Sequence, residues 1–162
     1  MVDVGDPAPD FTVPYASMVR AEEMDWGATF TLSEYLDEAP LVIAFFPGAF
    51  SNVCERELTT FNDRLDEFEE AGAVIYGIGS DLPYAINEFH RELGLRFDLL
   101  SDFNREAATA YDAMTDSVTG VKDINNRDLY VIDSDGVVVY KWDGEATDEP
   151  DPDEVLEAVR NA

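Results

Sequence analysis

An α/β fold, with a central mixed sheet flanked by helices, is the architecture that this sequence predicts. Three observations carry it. The continuous apolar runs LVIAFF (41–46) and AVIYGIG (73–79) read as fully buried strands. Each is followed by apolar residues at helical spacing, bounded by Pro or Gly. Near the C-terminus, DLYVID and VVVYKW flank Ser134-Asp135-Gly136, the pattern of a hairpin.

The elements follow in order. Residues 1–15 are Pro-rich, with short extended pieces, and 17–27 form a polar loop around Trp26. TLSEYL (31–36) reads as a short helix capped by Ser33. Beyond the 41–46 strand, residues 52–71 form one long amphipathic helix, with Leu58, Phe61, Leu65 and Phe68 on its inner face and Gly72 closing it. The 73–79 strand leads to a helix opened by Pro83, running to Leu93 and ended by Gly94. Residues 97–102 are a short strand and turn, 104–113 a helix, and 114–126 a loop. The hairpin strands are 128–133 and 137–142, and an acidic, Pro-bearing linker at 145–153 leads into a last helix, 152–161. Strand, helix, strand, helix, hairpin and closing helix is the order of a thioredoxin-like fold. No repeat divides the chain, so 1–162 is read as one domain, long enough to bury roughly 70% of its unfolded surface.

Composition narrows the class. Apolar residues make up 46% of the chain, ordinary for a globular protein. No apolar run approaches the roughly 20 residues of a membrane span, and the N-terminus lacks the basic-then-apolar layout of a secretion signal. The net charge of −26 comes from 36 acidic residues set against 10 basic ones. These acids are spread over every segment, not gathered in a tail. Repulsion on that scale opposes folding at low salt, and at molar ionic strength screening shortens to about 3 Å. The expectation is a protein of a high-salt cytosol. The absence of a basic footprint argues against nucleic acid as a partner.

The chemistry points to the single cysteine. Cys54 follows the LVIAFF strand across Pro47-Gly48-Ala49-Phe50-Ser51 and lands in the first turn of the next helix. Unpaired backbone N–H groups and the helix dipole favour a thiolate there, and the thiolate is the reactive form. The alternative is a small buried hydrophobe, which is what most lone cysteines are. Ser51 stands three residues before Cys54, where its hydroxyl can cap the helix, hydrogen-bond the sulfur, or do both. Pro47 stiffens the approach. Glu57 lies one turn beyond Cys54 on the same face, either orienting a basic group or simply solvated. His90, the only histidine, reads as structural. One cysteine and one histidine also exclude a zinc site of the usual kind, and an intrachain disulfide is impossible.

The stretch FFPGAFSNVCERELTTF resembles the active-site segment of the peroxiredoxins, the alkyl hydroperoxide reductase and thiol-specific antioxidant proteins, with their Pro-x-x-x-Thr/Ser-x-x-Cys pattern. VGDPAPDFTVP, DLLSDFNREAATAYDAM and NRDLYVIDSDGVVVY are similar to further segments of that family, in the right order. The resemblance implies a thiol-dependent peroxidase acting on hydrogen peroxide or small organic hydroperoxides, with Cys54 as the attacking group. It assigns Arg127 as donor to thiolate and peroxide, Ser51 as holder of the peroxide, and Pro47 as a shield. Glu57 would fix the arginine. No resolving cysteine exists (the position five after Cys54 is Thr59), so a one-Cys type is implied, its sulfenic acid reduced by an external small thiol or redoxin. Relatives of this kind pair as dimers, and Trp26, Phe50 and Met114 are apolar residues in loops available for such a homodimer. No cofactor is implied. A peroxide-responsive redox sensor using the same thiol is the alternative reading.

Overall fold

All six residues of LVIAFF are buried, and they form the middle strand of a five-stranded sheet. The computed structural model describes residues 1–115, 119–145 and 147–162. Strands β1 (Thr12–Pro14) and β2 (Thr29–Thr31) pair antiparallel ahead of this sheet. Within the sheet, β3 (Leu41–Phe46) is followed by α1 (Asn52–Asp63), α2 (Leu65–Glu70), β4 (Val74–Gly79), α3 (Pro83–Leu93), β5 (Asp98–Ser101) and α4 (Glu106–Tyr111). A small ribbon, β6 (Met114–Thr115) with β7 (Ile124–Asn125), precedes the hairpin β8 (Arg127–Ile132) and β9 (Val138–Gly144), and α5 (Pro152–Arg160) closes the chain. The sheet order is β5-β4-β3-β8-β9. Strands β3, β4 and β5 are parallel to one another, while β8 runs against β3 and β9 against β8.

Successive strand residues point to opposite faces, and β3 serves a different core with each set. Val42, Ala44 and Phe46 join a cluster with Leu58, Phe61, Phe68, Phe89 and Val155 from the helices on one side. Leu41, Ile43 and Phe45 join Phe11, Phe30, Tyr111 and Tyr130 on the other. A strand buried on both faces has no polar alternation, which is why its sequence is a continuous apolar run. The Phe46 ring also explains a glycine. A Cβ on Gly79, its neighbour in β4, would lie 2.3 Å from that ring.

Register then sets up the site. Ala44 pairs with Leu129 across antiparallel β3 and β8, so the start of β8 lies beside the end of β3. Arg127 shares the face of Leu129 and Val131, which belong to the helix-side cluster that also contains Cys54.

Several expectations change. The single helix over 52–71 is two helices broken at Arg64, whose backbone leaves the helical region at φ −107, ψ 11. Its guanidinium pairs with Glu67 and with Asp153 of α5. Apolar spacing reports the buried face and continues unbroken across this interruption. In place of one short helix over 31–36 stand two 3₁₀ turns, Leu32–Glu34 and Leu36–Glu38, and Ser33 is not their cap: its hydroxyl donates to Asp10 Oδ2 at 2.8 Å. The 104–113 helix shrinks to six residues because Arg105 (φ 60) and Asp112 (φ 50) take left-handed conformations at its ends. The loop expected at 114–126 contains the β6–β7 ribbon, and its residues 116–118 lie outside the described residues. Residue 146 of the expected linker does so as well.

Candidate active site

Strand β3 ends at Phe46 and delivers Pro47 to the top of the sheet. The chain then reverses through Phe50, a non-glycine residue in left-handed backbone at φ 67, a conformation costing of order 1 kcal/mol or more and concentrated at functional sites. Ser51 is the N-cap of α1: its backbone is extended, and its Oγ accepts a hydrogen bond from the Cys54 N–H at 3.3 Å. That is the usual bond from a cap to the third helical residue. Cys54 thus sits in the first turn, unpaired and fully buried.

Arg127 reaches it from β8. Its Nη2 donates to Cys54 Sγ at 3.2 Å, and its Nη1 donates to Glu57 Oε2 at 2.7 Å. Both ion-pair side chains are 1% exposed. A guanidinium removed from water needs counter-charge, and here it is held between a carboxylate and a sulfur. Burial pushes the Glu57 carboxyl up to about 7, against the opposing pull of Arg127. Glu57 Oε1 has no hydrogen-bond partner among the described residues. Burial alone would lower the Arg127 pKa, but Cys54 and Glu57 outweigh it and the net direction is up. The fork geometry of the guanidinium lets one cation serve both groups.

Pro47, Ser51 and Arg127 line one cavity of about 480 Å³, which opens over this cluster. The structure therefore brings together all five residues singled out from the sequence: Cys54, Arg127, Ser51, Pro47 and Glu57. Ser51 caps the helix and lines the cavity at once, so its two readings coexist. His90 stands apart from the cluster. Burial lowers its pKa, and its Nε2 lies 2.9 Å from the Phe97 carbonyl oxygen, tying α3 to the segment before β5.

Three nearby groups escaped sequence reasoning. Asp81, just past β4, accepts the Ala49 N–H on Oδ2 at 2.7 Å and so pins the loop before Ser51. Ser80 Oγ accepts the buried Asn125 N–H at 2.7 Å, positioning the strand that leads to Arg127. Arg105 lies along the cavity wall. Crevices in α/β sheets form just beyond the carboxyl ends of parallel strands, a rule that marks Ser80 and Asp81 in advance. Nothing in the sequence marks Arg105.

The AhpC/TSA family matches residues 4–141 of the chain. A putative peroxiredoxin of Mycobacterium tuberculosis is 33% identical over 146 residues, covering 88% of this chain and 87% of that protein. A chloroplastic 2-cysteine peroxiredoxin of Chattonella marina var. antiqua is 32% identical over 146 residues, covering 86% of this chain and 69% of its own length. Among solved structures, peroxidoxin BcpB from Mycobacterium tuberculosis superposes with a TM-score of 0.83 at 25% identity, covering 99% of this chain and 98% of that one.

Proposed function

This chain belongs to the AhpC/TSA family, the peroxiredoxins, and we propose that Cys54, Arg127, Ser51, Pro47 and Glu57 carry out its thiol-dependent peroxidase reaction. The observation that carries the assignment is the Arg127 guanidinium bridging the Cys54 sulfur and the Glu57 carboxylate inside a buried site. The thiolate sulfur attacks the terminal peroxide oxygen. An S–O bond forms, the O–O bond breaks, and the departing oxygen takes a proton from solvent and leaves as water or alcohol. Sulfur is oxidised to the sulfenic acid. Arg127 donates to the sulfur in the ground state and to the peroxide oxygens as charge moves onto them, a preorganised field of the kind that dominates many enzymes. The Ser51 hydroxyl holds the peroxide, and Pro47 walls the site from water.

With one cysteine in the chain, reduction falls to an external thiol. It attacks the sulfenic sulfur, releasing water and forming a mixed disulfide, and a second thiol then frees Cys54. Sustained turnover with such a reductant separates this enzyme from a redox sensor using the same oxidation.

The test is Cys54 oxidation by hydrogen peroxide, followed by stopped-flow tryptophan fluorescence. The wild type is expected to exceed a free thiol by orders of magnitude. Ser51→Ala removes both a cap worth about 1 kcal/mol and a hydrogen bond to the peroxide. Its oxidation is expected to slow by at least about tenfold, while Ser51→Thr stays near the wild type. An unchanged rate in Ser51→Ala removes the serine from the mechanism.

Residence in a high-salt cytosol and a homodimeric state complete the proposal. The −26 charge supports the first. Trp26, Phe50 and Met114, each at least 40% exposed, support the second. One experiment reads both: light scattering and thermal melting from about 0.1 to about 2 M potassium chloride, where screening removes the self-repulsion. Twice the chain mass and a rising melting midpoint are expected. A monomer, or a midpoint insensitive to salt, rejects the corresponding half.

A further inference from the structure

A second cavity lies at the opposite end of the sheet from Cys54. It measures about 580 Å³ and is bounded by the first three residues of β4, the start of β5, the end of α2 and the 15–21 segment. The cavity at Arg127 opens beyond the other end of the six-residue β4, about 20 Å away along that strand. The two share no lining residue. A volume of this size suits a small organic ligand.

The wall is aromatic and polar. Tyr15, Tyr35 and Tyr76 all line it, their rings held against Phe30 at centroid distances of 6.0, 4.7 and 4.6 Å. The Tyr15 hydroxyl donates to Tyr35 Oη at 2.8 Å. Tyr76 is only 4% exposed, yet its hydroxyl has no hydrogen-bond partner among the described residues. Its register partner across parallel β4 and β5 is Asp98, so the phenol and the carboxylate stand side by side on the face that lines the cavity. Asp98 Oδ1 accepts the Val19 N–H at 2.7 Å, while Oδ2 has no hydrogen-bond partner among the described residues.

Charge selects the ligand. Arg20 and Arg96 also line the cavity, but each already holds a carboxylate from outside it, Glu38 at 3.2 Å and Asp66 at 2.9 Å. Glu69, a second carboxylate on the wall, holds no cation among the described residues. With both arginines paired, Asp98 and Glu69 leave the wall negative. Tyr76 senses that sign: burial raises its phenol pKa, Glu38 and Asp98 raise it further, and the opposing pull of Arg20 is weaker. Burial also raises the Asp98 carboxyl, against the Val19 N–H and Arg20, so its charged form gains from a cation that joins it.

We infer that this cavity binds a small organic cation, an ammonium group on an apolar body. The ammonium donates to Asp98 Oδ2 and to the Tyr76 hydroxyl oxygen, in a tyrosine-rich wall of the kind that favours cations. The body lies on Met18, Leu65 and Ile75. This binding uses neither Cys54 nor the peroxidase reaction.

The experiment titrates the protein with phenethylamine, 2-phenylethanol and phenylacetate, three probes of one body and different charge. The amide signals of Tyr76 and Asp98 are followed by NMR. Molar potassium chloride screens the general attraction of a −26 chain for cations, while a direct charge-assisted hydrogen bond persists. The amine is expected to bind at least about tenfold tighter than the alcohol, and phenylacetate weakest of the three. Asp98→Asn keeps an acceptor for the Val19 N–H and should bring the amine-to-alcohol ratio to about one. Tyr76→Phe should weaken amine and alcohol together. Glu157→Gln removes the same charge from the exposed face of α5 and should change neither. An amine no tighter than the alcohol in the wild type overturns the inference without needing any variant to fold. Phenylacetate binding tightest overturns it too, because the arginines then set the specificity. A preference that survives in folded Asp98→Asn, or that Glu157→Gln reduces equally, assigns the attraction to the general field and ends the proposal.

Discussion

Replacing Arg127 with Gln is expected to slow Cys54 oxidation by about 10²–10³-fold, the usual loss when one preorganised donor to developing charge is removed. The amide cannot supply a cation to the sulfur, now 3.2 Å from the guanidinium, nor to the departing oxygen. The same change leaves the fully buried Glu57 without its counter-charge, a loss that typically costs about 3–5 kcal/mol. Instability and lost chemistry must therefore be separated. The double variant Arg127→Gln with Glu57→Gln removes both charges and is expected to regain much of the melting midpoint while oxidation stays slow. Stopped-flow rates and thermal melts on the wild type, the two single variants and the double variant form a cycle that isolates the coupling. A folded double variant that oxidises at the wild-type rate would remove Arg127 from the mechanism.

Glu57→Gln is expected to gain stability on the wild type as pH rises from about 4.5 to about 7. The direction follows from proton linkage. Burial raises the folded-state carboxyl from 4.5 to about 7, with Arg127 opposing. Between those values the native state binds more protons than the unfolded state, so the contribution of Glu57 to stability falls as pH rises. That contribution is fully present below 4.5 and lost once pH passes the folded value of about 7. Glutamine does not titrate and carries no such slope. The other carboxylates are common to both proteins and cancel in the difference, which should reach the order of a few kcal/mol. Urea melts of both proteins across this range read it directly. A difference that is flat, or that runs the other way, means Glu57 is ionised throughout and the Arg127 attraction outweighs desolvation. Glu57→Ala, by contrast, leaves Nη1 without its acceptor and should be destabilising at every pH.

The candidate site was legible to an unusual degree because three of its residues lie on one short segment. Cys54 and Glu57 are three apart on a helix, and Ser51 precedes Cys54 by the distance that capping requires. Local geometry alone puts them together. Arg127 is 73 residues from Cys54, and only the resemblance marked it in advance. Asp81, Ser80 and Arg105 act through contacts between loops that no local pattern encodes. Arg105 owes its place to a left-handed backbone and to carbonyls from three separate segments.

Burial writes itself into apolar spacing, so the strands and helices that meet the core were readable along the chain: β3, β4, α3 and the final hairpin all fall within two residues of their expected bounds. The place of the thiol was readable too, because a cap and a helix start are local. What surrounds that thiol comes from contacts between segments far apart in the chain. The antiparallel register of β3 and β8 brings Arg127 to the end of the strand before Cys54. The break at Arg64 and the short α4 likewise depend on partners distant in the chain. Hydrophobic period reports which face is buried, whereas charge pairing, register and left-handed turns are settled by what that face is buried against.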